Sequence, residues 1–355
     1  WVIVAAGNPE RYNKSVREFD IVTLDRVRKI SIQADTDVWL EYAGEKGIHG
    51  AILSYLSLKK ENFYMVENTV DGKFFVTARG WEDLSEILKS YEELQVEIGE
   101  ELIGEFLQKE EIARDFAGYY RLYEKYKSDY QIQEILDGNV TSGQLKTCCD
   151  MGKKASFEER FTVTEMLLEA VTERISVFQK IDEKTEKLYE NLKLLKIFLQ
   201  EKNSVEAMEQ FVISRRKALD AKICSELLTA EEAAREEEQI RILEEYFFQL
   251  KELHISDVAE GIEQIGERFG NVCRLRNEKL EETKKMLEQA FSFLEECFGE
   301  GQELLLFETG LTGDDRCSIF ISQYGCPSYF KHCELLLYSK KENELRKECR
   351  DLLEE

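Results

Sequence analysis

Pro9 and Pro327 are the only prolines in 355 residues. Proline removes a backbone donor and interrupts helices and strands, so its scarcity favours long unbroken helices over many short strands and turns. Histidine is nearly as rare, with three in the chain, and no G-x-S-x-G segment accompanies them. That excludes the usual serine hydrolase arrangement. No apolar run approaches the roughly 18 residues a membrane-spanning helix needs. Positive charge is in deficit as well: 48 basic residues stand against 72 acidic ones, for a net charge of -24. Such a surface repels phosphate backbones, which excludes broad nucleic-acid binding. The nine cysteines are odd in number and scattered, without the framework of a small secreted domain, and they predict reduced thiols in a cytoplasmic protein. An initiator Met is missing too, which suggests a piece of a longer chain.

What is present is mainly helical. Two strand-like runs, Trp1 to Ala6 and Val27 to Ile32, are separated by a polar connection long enough for a parallel crossover. They predict two parallel strands at the end of an α/β core over residues 1–32. Residues 33–147 hold shorter helical patterns punctuated by glycines, among them "DTDVWLEYAGEKG", "GWEDLSEILKSYEEL" and "EEIARDFAGYYRLYEKYKSDY", with "KFFVTAR" as a strand. Thr77 is placed to cap the helix of "ARGWEDLSEIL", and acidic residues in its first turns suit the helix dipole.

Longer stripes follow over residues 148–300. Leu168, Val171, Ile175 and Phe178 step by threes and fours, and after a polar interruption at Lys184 and Thr185 the pattern resumes through Leu188, Leu192, Leu195 and Leu199. Val258 to Phe298 repeats the stripe, and "AEEAAREEEQIRILEEYFFQLKEL" supplies a third helix. Together they predict an antiparallel bundle or stalk. Residues 301–355 read as a helical cap, with "LLLF" as a possible short strand.

Candidate chemistry is sparse. Asn8, at the carboxyl end of the first strand-like run, stands where a polar side chain can orient a water against a phosphate, although Asn-Pro also starts ordinary turns. Arg17, Arg26 and Arg28 can serve a neighbour's phosphoryl group or pair with Glu18, Asp20 and Asp25. Cys317, Cys326, His332 and Cys333 contain no C-x-x-C pair and read as buried groups of a helical cap, with no metal expected. Cys148 and Cys149 are adjacent and read as structural or incidental.

In order, "VIVAAGNP", "LDRVRKI" and "VTARGWEDL" resemble the second half of a MoxR-type AAA+ ATPase module, and "YNKSVREFD" and "YGCPSYFKHCELLLY" resemble segments of one branch of that family. The AAA+ likeness covers about residues 1–147. It implies the end of an AAA+ α/β core, then a helical lid, with ATP and Mg as cofactors and a ring homo-oligomer, a hexamer, as the working form. It also implies Asn8 and Arg26 as catalytic residues, sensing the attacking water and reaching the adjacent subunit, with Arg17 the alternative finger. Arg79 becomes a nucleotide-binding residue of the lid. A von Willebrand factor A domain protein is the partner that the family suggests. The chain departs from the family pattern in having no G-x-x-x-x-G-K-[ST], so this stretch alone is not expected to hydrolyse ATP. The competing reading is a non-enzymatic acidic helical adaptor.

Overall fold

The computed structural model describes residues 4, 6, 7, 21–28, 30–69 and 72–333, and they are mainly helical. The chain divides into two compact units, residues 1–116 and 117–355.

In the first unit, α1 (Ile21–Arg26) precedes α2 (Thr36–Lys46), α3 (Gly50–Leu58) and a 3-10 turn (Lys60–Asn62). Asp35 starts α2 by accepting from the backbone N–H groups of Asp37 and Val38, at 3.0 and 3.2 Å. Gly47 ends it in the left-handed region at φ 66°, the conformation in which glycine escapes a Cβ clash. Strands β1 (Met65–Thr69) and β2 (Gly72–Val76) then pair antiparallel, Met65 opposite Val76. α4 (Ala78–Glu93), α5 (Glu100–Phe106) and the start of α6 (Glu110–Tyr130) complete the unit. Its centre is aromatic. Tyr55, Trp81 and Phe116 meet with ring centroids 5.2 to 5.8 Å apart, and the buried Trp81 indole donates to the Phe63 carbonyl at 3.1 Å, which satisfies its polar edge.

The predicted strand at Val27 to Ile32 is not formed. Its described residues follow α1 without strand structure, and Val27, Ile30 and Ile32 are exposed. A strand needs a hydrogen-bonded neighbour, and among the described residues the only sheet is the β1–β2 hairpin. The run Trp1 to Ala6 falls largely outside the described residues.

The second unit is built on two long helices. α7 (Ile132–Asp137) and α8 (Ser142–Gly152) lead into α9 (Phe157–Lys202), a single helix of 46 residues. α10 (Ala207–Cys224) and α11 (Ala230–Glu252) follow, then α12 (Val258–Phe298), α13 (Gln302–Gly313), α14 (Asp315–Tyr324) and α15 (Pro327–Cys333). Ser156, Thr229 and Asp257 cap α9, α11 and α12 through their side-chain oxygens, each cap contributing about 1 kcal/mol. Asp182 meets Arg276 and Tyr189 stacks on Phe269, so residue numbers rise along α9 as they fall along α12: the pair is antiparallel.

Two apolar layers share these helices. Toward the start of α9, Val171, Ile175 and Phe178 are buried with Phe291, Phe307 and Phe320, and the Phe178–Phe320 and Phe291–Phe307 rings meet edge to face. Farther along, Leu188, Leu195 and Leu199 form a second core with Met208, Phe211, Leu243, Leu250 and Ile265. α10, not anticipated from the sequence, contributes Met208, Phe211, Val212 and Leu219 to it.

At Lys184 and Thr185, where the apolar stripe pauses, α9 runs on unbroken: Thr185 bonds back to the Ile181 carbonyl at 2.8 Å, and the Lys184 carbonyl accepts from Gln239. Two further expectations need correction. "LLLF" is part of α13, because Leu304, Phe307 and Leu311 repeat at helical spacing and are buried. Cys149 is bonded to Cys297 as a disulfide across α8 and α12, so the cysteines are not uniformly thiols. Phe298 lies so close to Gly152 that a Cβ there would meet its ring at 2.7 Å, and this close passage of the two helices brings the sulfurs within reach.

Candidate functional site

The stretch Thr77–Ala78–Arg79–Gly80–Trp81 turns the chain from β2 into α4. Thr77 holds extended angles, φ -138° and ψ 160°, and its hydroxyl accepts from the Gly80 N–H at 3.2 Å, as the sequence predicts. Gly80 lies against the last turn of α5; a Cβ there would be 2.8 Å from the Phe106 carbonyl oxygen. Trp81 is fully buried. Leu84, Ser85 and Leu88 continue its face, and Ser85 accepts the His49 N–H at 2.9 Å. Thr77, Gly80 and Trp81 therefore cap, make room or fill the core.

Arg79 does none of these. Its side chain is exposed at the second position of α4, and no ion pair to it is found among the described residues. Contrary to the sequence expectation, no acidic residue lies in the first turn of α4. A cation at the positive end of a helix is disfavoured by about 0.3–1 kcal/mol. The same two positive features favour an anion: a guanidinium offers a planar fork of donors that suits phosphate, and the helix start adds a partial positive charge. Arg26 ends α1, also exposed, with no group beside it among the described residues that defines a site. Asn8 lies outside the described residues, as does Arg17.

Other polar clusters satisfy themselves internally. His49, which sequence reasoning passed over, caps α3: its Nδ1 accepts from the Ala51 N–H at 3.1 Å, and its Nε2 meets Glu92 at 2.7 Å. Both ring nitrogens are engaged, so the group holds the helix rather than serving as an open base. Tyr55 donates to Asp115 at 2.8 Å, and Lys59 reaches the same oxygen at 2.6 Å; burial, with Asp115 next, pushes the phenol well above its ordinary range. In the second unit, Arg276 donates to Asp182 at 2.7 Å and to the Tyr324 hydroxyl at 2.6 Å, and Tyr324 donates to Asp182 at 2.7 Å. Each member of that triangle serves the other two.

The cysteine and histidine candidates of the cap separate. Cys317 lies 3.4 Å from the Thr172 hydroxyl, Cys326 donates to Glu288 at 3.2 Å, and His332 bonds Glu295. Burial pushes the Cys317 and Cys326 thiols up to about 12, far from the thiolate that metal binding or nucleophilic attack needs. Among the described residues, no group of three or more His, Cys, Asp or Glu side chains is placed to hold a metal ion, and no helix is long and apolar enough to cross a membrane.

The first unit also holds a concave feature. A groove of about 870 Å³ lies between β2, α5 and the start of α6. Phe74, Leu107 and Ala113 supply its apolar lining, and Glu101, Glu105 and Lys73 its charged edges. Set against protein-family models, curated proteins and solved structures, the chain matches none of them.

Proposed function

We propose that the chain is the lid and helical extension of a MoxR-type AAA+ ATPase that couples ATP hydrolysis to remodelling or assembly of partner proteins in the cytoplasm. The observation that carries this reading is the outward placement of Arg79: Thr77, Gly80 and Trp81 around it are committed to capping or packing, and the arginine is held in solvent against the local helix dipole. In this reading Arg79 contacts the phosphates of ATP and ties the lid to nucleotide state. Asn8 orients the attacking water, Arg26 reaches the nucleotide of the next subunit in a hexameric ring, and a von Willebrand factor A domain protein is the partner. Mg supplies charge neutralisation at the phosphates when bound; Arg79 adds a positive charge that no other side chain of its turn provides.

The test is steady-state ATP turnover by the protein as the cell makes it, compared with Arg79→Ala. Turnover at least tenfold lower, with the thermal midpoint unchanged, supports the assignment. Equal turnover overturns the role of Arg79. Absence of any ATP turnover in the unaltered protein overturns the ATPase reading and leaves the acidic helical adaptor.

A further inference from the structure

We infer that the groove between β2, α5 and α6 docks an extended, basic peptide segment of a partner protein carrying two cationic side chains at alternate positions. The inference goes beyond the ATPase reading and does not rest on it.

Three features of the groove are ones that folding alone does not favour. Gly104 sits in the middle of α5 and lines the groove, and a Cβ added there would meet nothing within 4 Å. Glycine inside a helix costs about 1 kcal/mol relative to alanine, and packing gives no reason for it here. The missing side chain keeps the concavity open. Glu101 and Glu105 form the second feature. They are exposed, stand four residues apart on one face of α5, and make no ion pair among the described residues. The α5 dipole favours Glu101 in the first turn but opposes Glu105 in the last, and like charges at that spacing weaken a helix by about 0.2–0.5 kcal/mol. Their neighbours Glu100 and Glu110 differ, because Arg114 pairs with both. The third feature is Phe74, a half-buried aromatic ring left lining an accessible groove.

The geometry of the two open carboxylates selects the occupant. Four residues of helix advance about 6 Å along the axis. Alternate side chains of an extended peptide emerge on one side about 6.8 Å apart. An Arg-X-Arg segment therefore sets one guanidinium against Glu101 and the next against Glu105, while its aliphatic stems cover Phe74. A groove of about 870 Å³ is in the size range of a pocket for a ligand of a few residues. Lys73 on the opposite wall is the single cation of the lining, so the acidic wall is the one on α5 and the basic residues of the segment face it.

The experiment is fluorescence anisotropy on the whole protein, at about 0.15 M salt, where charges separated by more than about 8 Å are largely screened. The probe is a fluorescein-labelled Gly-Leu-Arg-Leu-Arg-Leu-Gly peptide. Gly104→Phe fills the groove without changing charge and is expected to weaken binding at least tenfold. Glu101→Lys with Glu105→Lys, at exposed positions that do not threaten folding, is expected to weaken it by a similar factor. Glu186→Lys with Glu190→Lys, exposed on α9, makes the same change in net charge elsewhere and is expected to shift affinity less than twofold. Equal losses in the two charge pairs, wild-type affinity in Gly104→Phe, or no binding by the unaltered protein each overturn the proposal. Because no nucleotide is present, a negative result here leaves the ATPase assignment to its own test.

Discussion

Glu165 illustrates how a single side chain can tie this protein's stability to pH. It lies half-buried on α9, one turn from Glu169, which accepts from the Tyr123 hydroxyl at 3.1 Å. Burial, reinforced by the Glu169 charge, pushes the Glu165 carboxyl up to about 7. A carboxyl whose proton is held more tightly in the folded state contributes stability fully below the unfolded value near 4.5, and that contribution is lost as pH rises through 7. Glu165→Gln keeps the neutral shape at every pH. It is expected to match the wild type below pH 4.5 and to be more stable by about 2 kcal/mol at pH 8, less than the full shift implies because the side chain retains some water contact. Urea denaturation at the two pH values reads this directly; an equal difference at both would show that charge is not the cause.

At the scale of elements, the triangle of Asp182, Arg276 and Tyr324 joins α9, α12 and α14 between their two apolar layers. Arg276 also stacks over Phe178 and Tyr324, with its guanidinium carbon 5.4 Å from each ring centre. Removing one partner leaves a half-buried charge unsatisfied, so Asp182→Ala is expected to destabilise by about 2 kcal/mol. Asp182→Ala combined with Arg276→Met should recover part of that loss, a coupling that a double-mutant cycle measures. The elements themselves were largely legible. The Thr77 cap, the long stripes of α9 and α12 and the acidic α11 all follow from local spacing and capping chemistry. What misled the sequence reading was information that is not local. Val27 to Ile32 has strand composition, but among the described residues no strand pairs with it. At the candidate site, the Thr77 cap was legible from its motif, but the fixing of Gly80 and Trp81 beside Arg79 depends on Phe106 and Phe63, which sequence distance conceals. The groove was invisible for the same reason, since Phe74, Gly104 and Ala113 come from three separate elements.

For the molecule as a whole, the Cys149–Cys297 bond closes a loop across 148 residues of the second unit. In the chain-entropy account, a loop of this size removes about 5 kcal/mol of freedom from the unfolded chain as an upper bound. Dithiothreitol, or Cys297→Ser, is therefore expected to lower the thermal midpoint by several degrees, and the reductant should have no additional effect on the variant. A midpoint indifferent to both treatments would mean that the bond does not contribute to stability. The surface charge acts in a different way: with net charge -24, self-repulsion keeps molecules apart and favours positively charged partners at a distance.

The unbroken course of α9 has a mechanical consequence. At 1.5 Å per residue its 46 residues extend about 69 Å. Its middle is clamped at Phe178, whose ring meets Phe320, and its far end among Leu195, Leu199 and Phe211. A tilt of about 10° at Phe178 carries the far end, about 36 Å away, through about 6 Å, together with the α10 and α11 side chains packed on it. α9 thus couples its two apolar layers, so that a small rearrangement at one is carried along a single rigid element to the other.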